Sequence, residues 1–348
     1  MRTLRLGTRG SQLALWQANT VKRRVEEAGG PPCEIVIIKT SGDRLQDAPL
    51  SEAGGKRLFV KEIEDALLRK DVDLAVHSSK DMPALLPDGL TIAGVLPRED
   101  PLDAIVLPVR LKADTTTDRA GATADRSVRL QGDHPASVAE LVRLLGETPS
   151  IGTSSVRRIA QLTRLFSDAR FAPIRGNLDT RLRKLDEGQH DAIVLAAAGL
   201  RRLGFASRIS MTISSDACVP APGQGIVAIE IREGDEDTRR AVARIEDASA
   251  AAALKAERAV VERLGGGCQT PIGALATSAA GGQLELVGAV VSLDGRRAVR
   301  AHAQGPREDA IALGTSVGDQ LLAQGAGEIL AEAQQASVTG RQLSVEQP

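Results

Sequence analysis

A chain of 348 residues has room for two or three compact domains and a sizeable core. Its 44 Lys and Arg against 45 Asp and Glu leave a net charge of −1, without the global positive field of a general nucleic-acid binder. Four Phe, one Trp and no Tyr exclude a base-stacking platform or an aromatic membrane belt, and leave an aliphatic, alanine-rich core.

Residues 4–7 read as a strand, and 12–27 as a helix carrying Leu13, Leu15, Trp16, Val21 and Val25 on a broad apolar stripe that stops at Gly29-Gly30. A second strand is expected at 33–38. A polar loop with Gly54-Gly55-Lys56 then leads to a helix over 60–68 and a strand at 72–76. Strands alternating with helices at this spacing predict an α/β fold built on a parallel sheet covered on both faces, with ligands at the strand C-terminal ends. The amino terminus runs straight into this pattern. The longest apolar run, 192–200, is far shorter than the ~20 residues that cross a bilayer, so the expectation is a cytoplasmic protein without membrane partners.

After a strand-like stretch at 98–107, residues from about 109 to 136 turn into Thr, Ala, Asp, Arg and Gly without apolar periodicity and read as an inserted surface loop. The α/β rhythm resumes with a strand at 150–152, a helix over 156–166, a strand at 170–174, a helix over 180–187 and a strand at 191–195. Leu6-Gly7-Thr8-Arg9-Gly10-Ser11 and Ile151-Gly152-Thr153-Ser154-Ser155 each join a strand to a helix, so two similar lobes facing a cleft are expected. A strand at 226–231, a helix over 247–264 ending in Gly265-Gly266-Gly267, strands at 284–291 and 298–303 and a helix near 310–333 predict a smaller α+β domain. The expected division is lobe 1 from 1–104 and 205–232, lobe 2 from 105–204, and a third domain from 240–340.

Residues 151–203 hold nine Arg and one Lys against five acidic residues, a local excess of five positive charges. Arg157, Arg158, Arg175, Arg181, Arg201 and Arg202 fall at loop–helix junctions, where guanidinium forks and free helix N–H groups suit carboxylates. Arg164, Arg170 and Arg183 read as a solvated helix face. Thr8, Arg9 and Ser11 form the matching junction of the first lobe. Neither GxxxxGK[ST] nor an early GxGxxG is present, so polycarboxylate is a better anion than nucleotide phosphate. His77-Ser78-Ser79-Lys80-Asp81-Met82-Pro83 leaves a strand end. Asp81 there suits either a helix cap or a carboxylate that stabilises a cation or moves a proton.

The four histidines lack ligand spacing, and Cys33, Cys218 and Cys268 form no CxxC pair, so neither a metal site nor a disulfide framework is expected. Cys33 and Cys218 read as structural. Cys268 follows three glycines, which leaves it open to either a buried apolar role or a covalent one.

LRLGTRGSQLALWQA, GGKRLFVKEIEDALL, DLAVHSSKDMPALLPDGL, REDPLDAIV, IGTSSVRRIAQL, IRGNLDTRLRKLDEGQHDAIVLAAAGLRRLG, PAPGQGIVAIE and ERAVVERLGGGCQTPIGA together resemble the porphobilinogen deaminase family, in order and over residues 4 to about 333. The resemblance implies two lobes like those of periplasmic binding proteins plus a small α+β domain carrying a dipyrromethane cofactor on a thioether to Cys268. It implies head-to-tail condensation of four porphobilinogen molecules with loss of ammonia, followed by hydrolysis to hydroxymethylbilane, by a monomer that needs no metal. On the same ground Asp81 is catalytic. Lys80, Ser78, Thr153, Ser154, Ser155, Arg157, Arg158 and Gly176 join Cys268 in holding the cofactor, while Arg9, Ser11, Gln17, Arg175, Arg181 and Arg202 meet substrate. An insertion over 109–133 exceeds the expected length of the connection between lobes. The alternatives are a two-lobed anion- or solute-binding or sensor protein, and a hydrolase with Cys268 as nucleophile and His77 as base.

Overall fold

The computed structural model describes residues 2–44, 60–109, 135, 137–267 and 270–338. Cys268, Gly54-Gly55-Lys56 and nearly all of the expected insertion lie outside the described residues. In chain order the strands are β1 (Leu4–Thr8), β2 (Cys33–Ile37), β3 (Leu74–Ser78), β4 (Leu90–Val95), β5 (Asp103–Val106), β6 (Ser150–Gly152), β7 (Arg170–Ala172), β8 (Ala192–Ala196), β9 (Met211–Ile213), β10 (Val227–Arg232), β11 (Ile272–Ser278), β12 (Gln283–Val291) and β13 (Ala298–Pro306).

Two five-stranded sheets share one plan. The first runs β2-β1-β3-β10-β4 and the second β7-β6-β8-β5-β9. In each, the first three strands are parallel and the fourth is antiparallel to both of its neighbours. Each sheet is thus parallel over its first three strands, as expected, with one reversed strand added. The fourth strand of each sheet enters from the other one: β5 reaches the second sheet before its helices are built, and β10 returns to the first at the end. Residues 96–102 and 214–226 are the two crossovers. The expected boundary at 104/105 falls inside β5, and the one at 204/205 leaves β9 with lobe 1, whereas both strands pair in the second sheet.

The elements follow their local chemistry. Helix Gln12–Glu27 starts with Ser11 accepting from the Ala14 N–H and buries Ala18, Val21 and Val25 against Leu4, Leu6, Leu74 and Val76. Helix Lys61–Leu68 covers the opposite face with Ile63, Ala66 and Leu67 against Ala75 and Leu90. Each fully buried Leu here contributes about 1.5–3 kcal/mol. The second sheet is covered by helix Val156–Leu162 on one side and helix Leu178–Asp186 on the other. The third sheet, β11-β12-β13, is antiparallel and packs on helices Ala248–Arg263 and Ala310–Ala323. The single helix expected near 310–333 is two helices, since Gly325 at φ 96° turns the chain before Ala326–Val338.

Gly225 sits in the second crossover at φ 85°, where a Cβ would collide with the Glu99 carbonyl oxygen of the first crossover. Only glycine lets the crossovers lie this close. Gly225→Ala is therefore expected to destabilise the fold by about 1–3 kcal/mol or more, read as a lowered midpoint in chemical denaturation, with an unchanged midpoint as the contrary result.

Candidate active site between the two sheets

The loops at the C-terminal ends of β1, β3, β6 and β8 converge between the sheets, as open α/β sheets direct. From β3 the chain enters a short 3₁₀ turn, Ser79–Asp81, that puts Lys80 and exposed Asp81 at the cleft. Asp81 ends this turn and so does not cap a helix start, which removes the capping role the sequence left open. From β6, Ser155 caps helix Val156–Leu162 by accepting from the Arg158 N–H at 3.4 Å, and Arg157 and Arg158 follow in its first turn.

Asp103, fully buried at the start of β5, is the hub on which these cations meet. Arg157 Nη1 donates to its Oδ2 at 2.7 Å, Arg158 Nε to its Oδ1 at 3.0 Å, and Gln224 Nε2 to the same Oδ1 at 2.9 Å. Arg157 Nη1 also reaches the Val219 carbonyl at 2.9 Å, and Arg158 Nη1 the Val194 carbonyl at 2.8 Å. Arg157 and Arg158 are only 4% and 6% exposed, so both side chains are anchored inside the protein. The two guanidinium groups hold the Asp103 carboxyl far below the usual carboxylate range against the penalty of burial. Arg157→Ala is accordingly expected to cost about 3–5 kcal/mol of stability, since it strips a buried carboxylate of one of its two guanidinium partners. Denaturation of the variant checks this, and a loss near zero would contradict it.

Lys80 Nζ donates to Gln224 Oε1 at 3.4 Å, which ties it to the same hub. Desolvation first, and then the nearby Arg158, bring its pKa down to about 8 from 10.5, opposed by Asp81 and Asp103. The ammonium is therefore largely present below pH 8 and lost as pH rises through it. Affinity for a carboxylate ligand is expected to fall across about pH 7.5–9, and Lys80→Arg should move that limb upward; a flat profile to pH 9.5 in the parent would contradict it. Burial first, then the field of Arg158, brings Arg181 to about 10, while Asp81 opposes the shift and Arg175 adds to it. Asp81 and Arg158 thus act on both Lys80 and Arg181, and Arg175 acts on Arg181.

One cavity gathers Lys80, Ser155 and Arg157 with Ser79, Met82, Pro222 and, from the third sheet's domain, Arg258, Gly267 and Thr270. The last two flank Cys268 and Gln269 in the chain. Arg158, Arg175 and Arg181 extend the positive charge beyond it. The remaining expected residues have partners that define their places. Arg9 pairs with Asp43 at 2.6 Å, Ser11 caps its helix, and Gln17 Nε2 donates to Ser78 Oγ at 2.9 Å. Ser154 Oγ donates to the Ile174 carbonyl at 3.0 Å, and Thr153 Oγ1 accepts from the Ser155 N–H at 3.2 Å. Gly176, at φ 104°, leaves its carbonyl to Arg181 Nε at 2.8 Å. Arg202 stands at the cleft edge, donating to the Gly225 carbonyl at 2.6 Å with its guanidinium 5.5 Å from the Trp16 ring centre.

Sequence reasoning assigned no role to Asp103, Gln224, Arg258 or Glu257. Glu257 joins the third domain to the crossovers, accepting from Arg98 Nη1 at 2.5 Å, the Gly223 N–H at 2.6 Å and the Ala276 N–H at 2.8 Å. An acidic residue inside an apolar pattern, as in Pro-Leu-Asp103-Ala-Ile-Val, was the available signal. His77 is buried with its Nε2 3.1 Å from Glu230 Oε2 on the neighbouring strand, a structural pair. Burial pushes the Cys218 thiol up to about 12, which fits the structural role expected of it. Among the described residues no helix is long and apolar enough to cross a membrane.

Residues 4–240 match the family described as "Porphobilinogen deaminase, dipyromethane cofactor binding domain", and 251–323 match "Porphobilinogen deaminase, C-terminal domain". A porphobilinogen deaminase of Geotalea uraniireducens is 42% identical over 97% of this chain and 97% of its own. One of Trichlorobacter lovleyi is 44% identical over 96% and 98% respectively. Among solved structures, the VFT2 domain of Bordetella pertussis BvgS covers 70% of this chain and 86% of its own at 15% identity and a TM-score of 0.38. With family matches over both lobes and the third domain, and relatives this similar along almost their whole length, the chain belongs to the porphobilinogen deaminase family.

Proposed function

We propose that this chain condenses four porphobilinogen molecules head to tail on a dipyrromethane primer bound through a thioether to Cys268, releasing one ammonia per addition, and frees hydroxymethylbilane by hydrolysis. Family membership gives the coarser part: a hydroxymethylbilane synthase, a transferase of tetrapyrrole biosynthesis with a dipyrromethane-binding domain. The proposal further includes a monomeric, cytoplasmic enzyme of three units, with residues 2–95 and 227–232 in one lobe, 103–213 in the other and 248–338 in the third, and with neither nucleic acid nor membrane as partner.

The observation that carries this reading is the cavity where Lys80 and Arg157 from the two lobes meet Arg258, Gly267 and Thr270 of the third domain. Arg157 Nε is buried in its wall with no partner among the described residues, so the donor set fits a bound polycarboxylate. When bound, the dipyrromethane would supply the free pyrrole α-carbon that serves as nucleophile for the first addition, the newest ring of the growing chain offering the equivalent carbon for each later one. Lys80, Arg157, Arg158 and the loop hydroxyls of Ser78, Thr153, Ser154 and Ser155, with Gly176, would hold its acetate and propionate groups. Arg9, Ser11, Gln17, Arg175, Arg181 and Arg202 would hold those of the incoming substrate, which explains cations concentrated in a chain of net charge −1. Asp81, exposed at the cleft and within the fields of Lys80 and Arg181, is placed to stabilise positive charge that develops on a pyrrole nitrogen as ammonia leaves.

The solute-binding alternative leaves the third domain and Gly265-Gly266-Gly267-Cys268 without a role, and the hydrolase alternative loses its base because His77 is committed to Glu230. Incubation with porphobilinogen tests the proposal. The expected result is four ammonia released per linear tetrapyrrole, and binding without turnover would overturn it.

A further inference from the structure

Asp103 is fully buried, yet it touches both arginines proposed to receive the cofactor's carboxylates. We infer that Asp103 is a positioning residue, an internal carboxylate that aims Arg157 and Arg158 into the cleft and fixes the charge they present there. This deepens the function proposed above and rests on it.

The geometry has three parts. Asp103 is fully buried, and its two oxygens divide the guanidiniums between them: Oδ2 takes Arg157 Nη1 at 2.7 Å and Oδ1 takes Arg158 Nε at 3.0 Å. Two guanidinium groups on one carboxylate leave one excess positive charge, so the pair stays attractive to an external carboxylate without the mutual repulsion of two unpartnered cations. Arg157 Nε is left over, buried and without a partner among the described residues, on a side chain that lines the cavity. Gln224 closes the arrangement, donating to Asp103 Oδ1 at 2.9 Å while its own Oε1 accepts from Lys80 Nζ at 3.4 Å. One carboxylate thereby sets the orientation of three cations before any ligand arrives, and orientation fixed in advance is affinity that a ligand need not supply by ordering side chains.

The charges facing Lys80 are Arg158, Asp81, Asp103 and Arg157, of which the two carboxylates favour its ammonium. Removing the charge of Asp103 therefore has a consequence that simple loosening lacks. The alkaline limb of substrate binding moves to lower pH.

Two variants of the holoenzyme, Asp103→Asn and Asp103→Glu, separate charge from position. Asp103→Asn should raise KM for porphobilinogen about ten-fold or more, lower the fraction of chains carrying the cofactor by intact mass, and shift the alkaline limb downward. Asp103→Glu keeps the charge but displaces it by a methylene, so KM should rise and cofactor content fall while the limb stays where it is in the parent. If the Asn variant does not fold, the Glu variant carries the test alone. Parental KM and cofactor content in the Glu variant, or an unmoved limb in a folded Asn variant, would overturn the inference. A parent protein that neither carries an adduct nor turns over porphobilinogen would instead overturn the function on which it rests.

Discussion

Asp81→Asn is expected to leave the fold and the bound cofactor intact while slowing each addition by about 100-fold or more. The residue ends a 3₁₀ turn at the cleft and caps no helix, so an isosteric amide removes its charge without removing a structural hydrogen bond from a helix start. Lys80 and Arg181 lie within its field, cations suited to the substrate's carboxylates and wholly unsuited to a cationic pyrrole. In the mechanism proposed above, the Asp81 carboxylate among them is what makes positive charge on a ring nitrogen tolerable. Fixed charge aimed at developing charge acts on the barrier directly, and a penalty of about 2.7 kcal/mol already corresponds to roughly 100-fold in rate. Single-turnover kinetics on cofactor-loaded variant read this step alone. An Asn variant with full cofactor mass and parental addition rates would remove Asp81 from the chemistry.

Cys268→Ser should yield a folded protein with no covalent dipyrromethane, an all-or-none loss visible by intact mass. A hydroxyl at neutral pH is a far weaker nucleophile than a thiolate toward the soft carbon that forms the thioether. The other two cysteines cannot substitute. Burial drives Cys33 up to about 11 and Cys218 up to about 12, so neither offers a thiolate near pH 7, and Cys218 is held beside Arg157 and Asp103. Cys33→Ser and Cys218→Ser should therefore keep the adduct. A Cys268→Ser protein that still carries it would move the attachment point elsewhere.

The lobes were legible in the sequence because their helices and parallel strands carry strong local signals. Val21 and Val25 at helical spacing, the run Leu74-Ala75-Val76 and the twin strand–Thr–Ser–helix junctions each specify an element without reference to the rest of the chain. The antiparallel setting of β5 and β10 in their sheets was not legible, since an antiparallel strand and a parallel one have the same composition and only pairing across roughly 90 and 150 residues distinguishes them. The positive character of the site was readable from the arginines of 157–202. Its internal wiring was not: Asp103, Gln224 and Glu257 are polar residues whose partners lie 19 to 159 positions away, and no spacing rule connects them. Arg157 and Arg158 show the consequence. Read from the sequence, they sit at a loop–helix junction that suits an anion, and in the fold both are also anchored to a buried acid.

The most direct measurement is the intact mass of the purified protein before and after brief exposure to porphobilinogen, with peptide mapping of the modified residue. The expected spectrum shows a chain heavier than its sequence by one dipyrromethane on the peptide containing Cys268, then a ladder of species each heavier by one porphobilinogen less ammonia. A chain of unmodified mass that stays unmodified while porphobilinogen is present would contradict covalent, stepwise assembly on this protein.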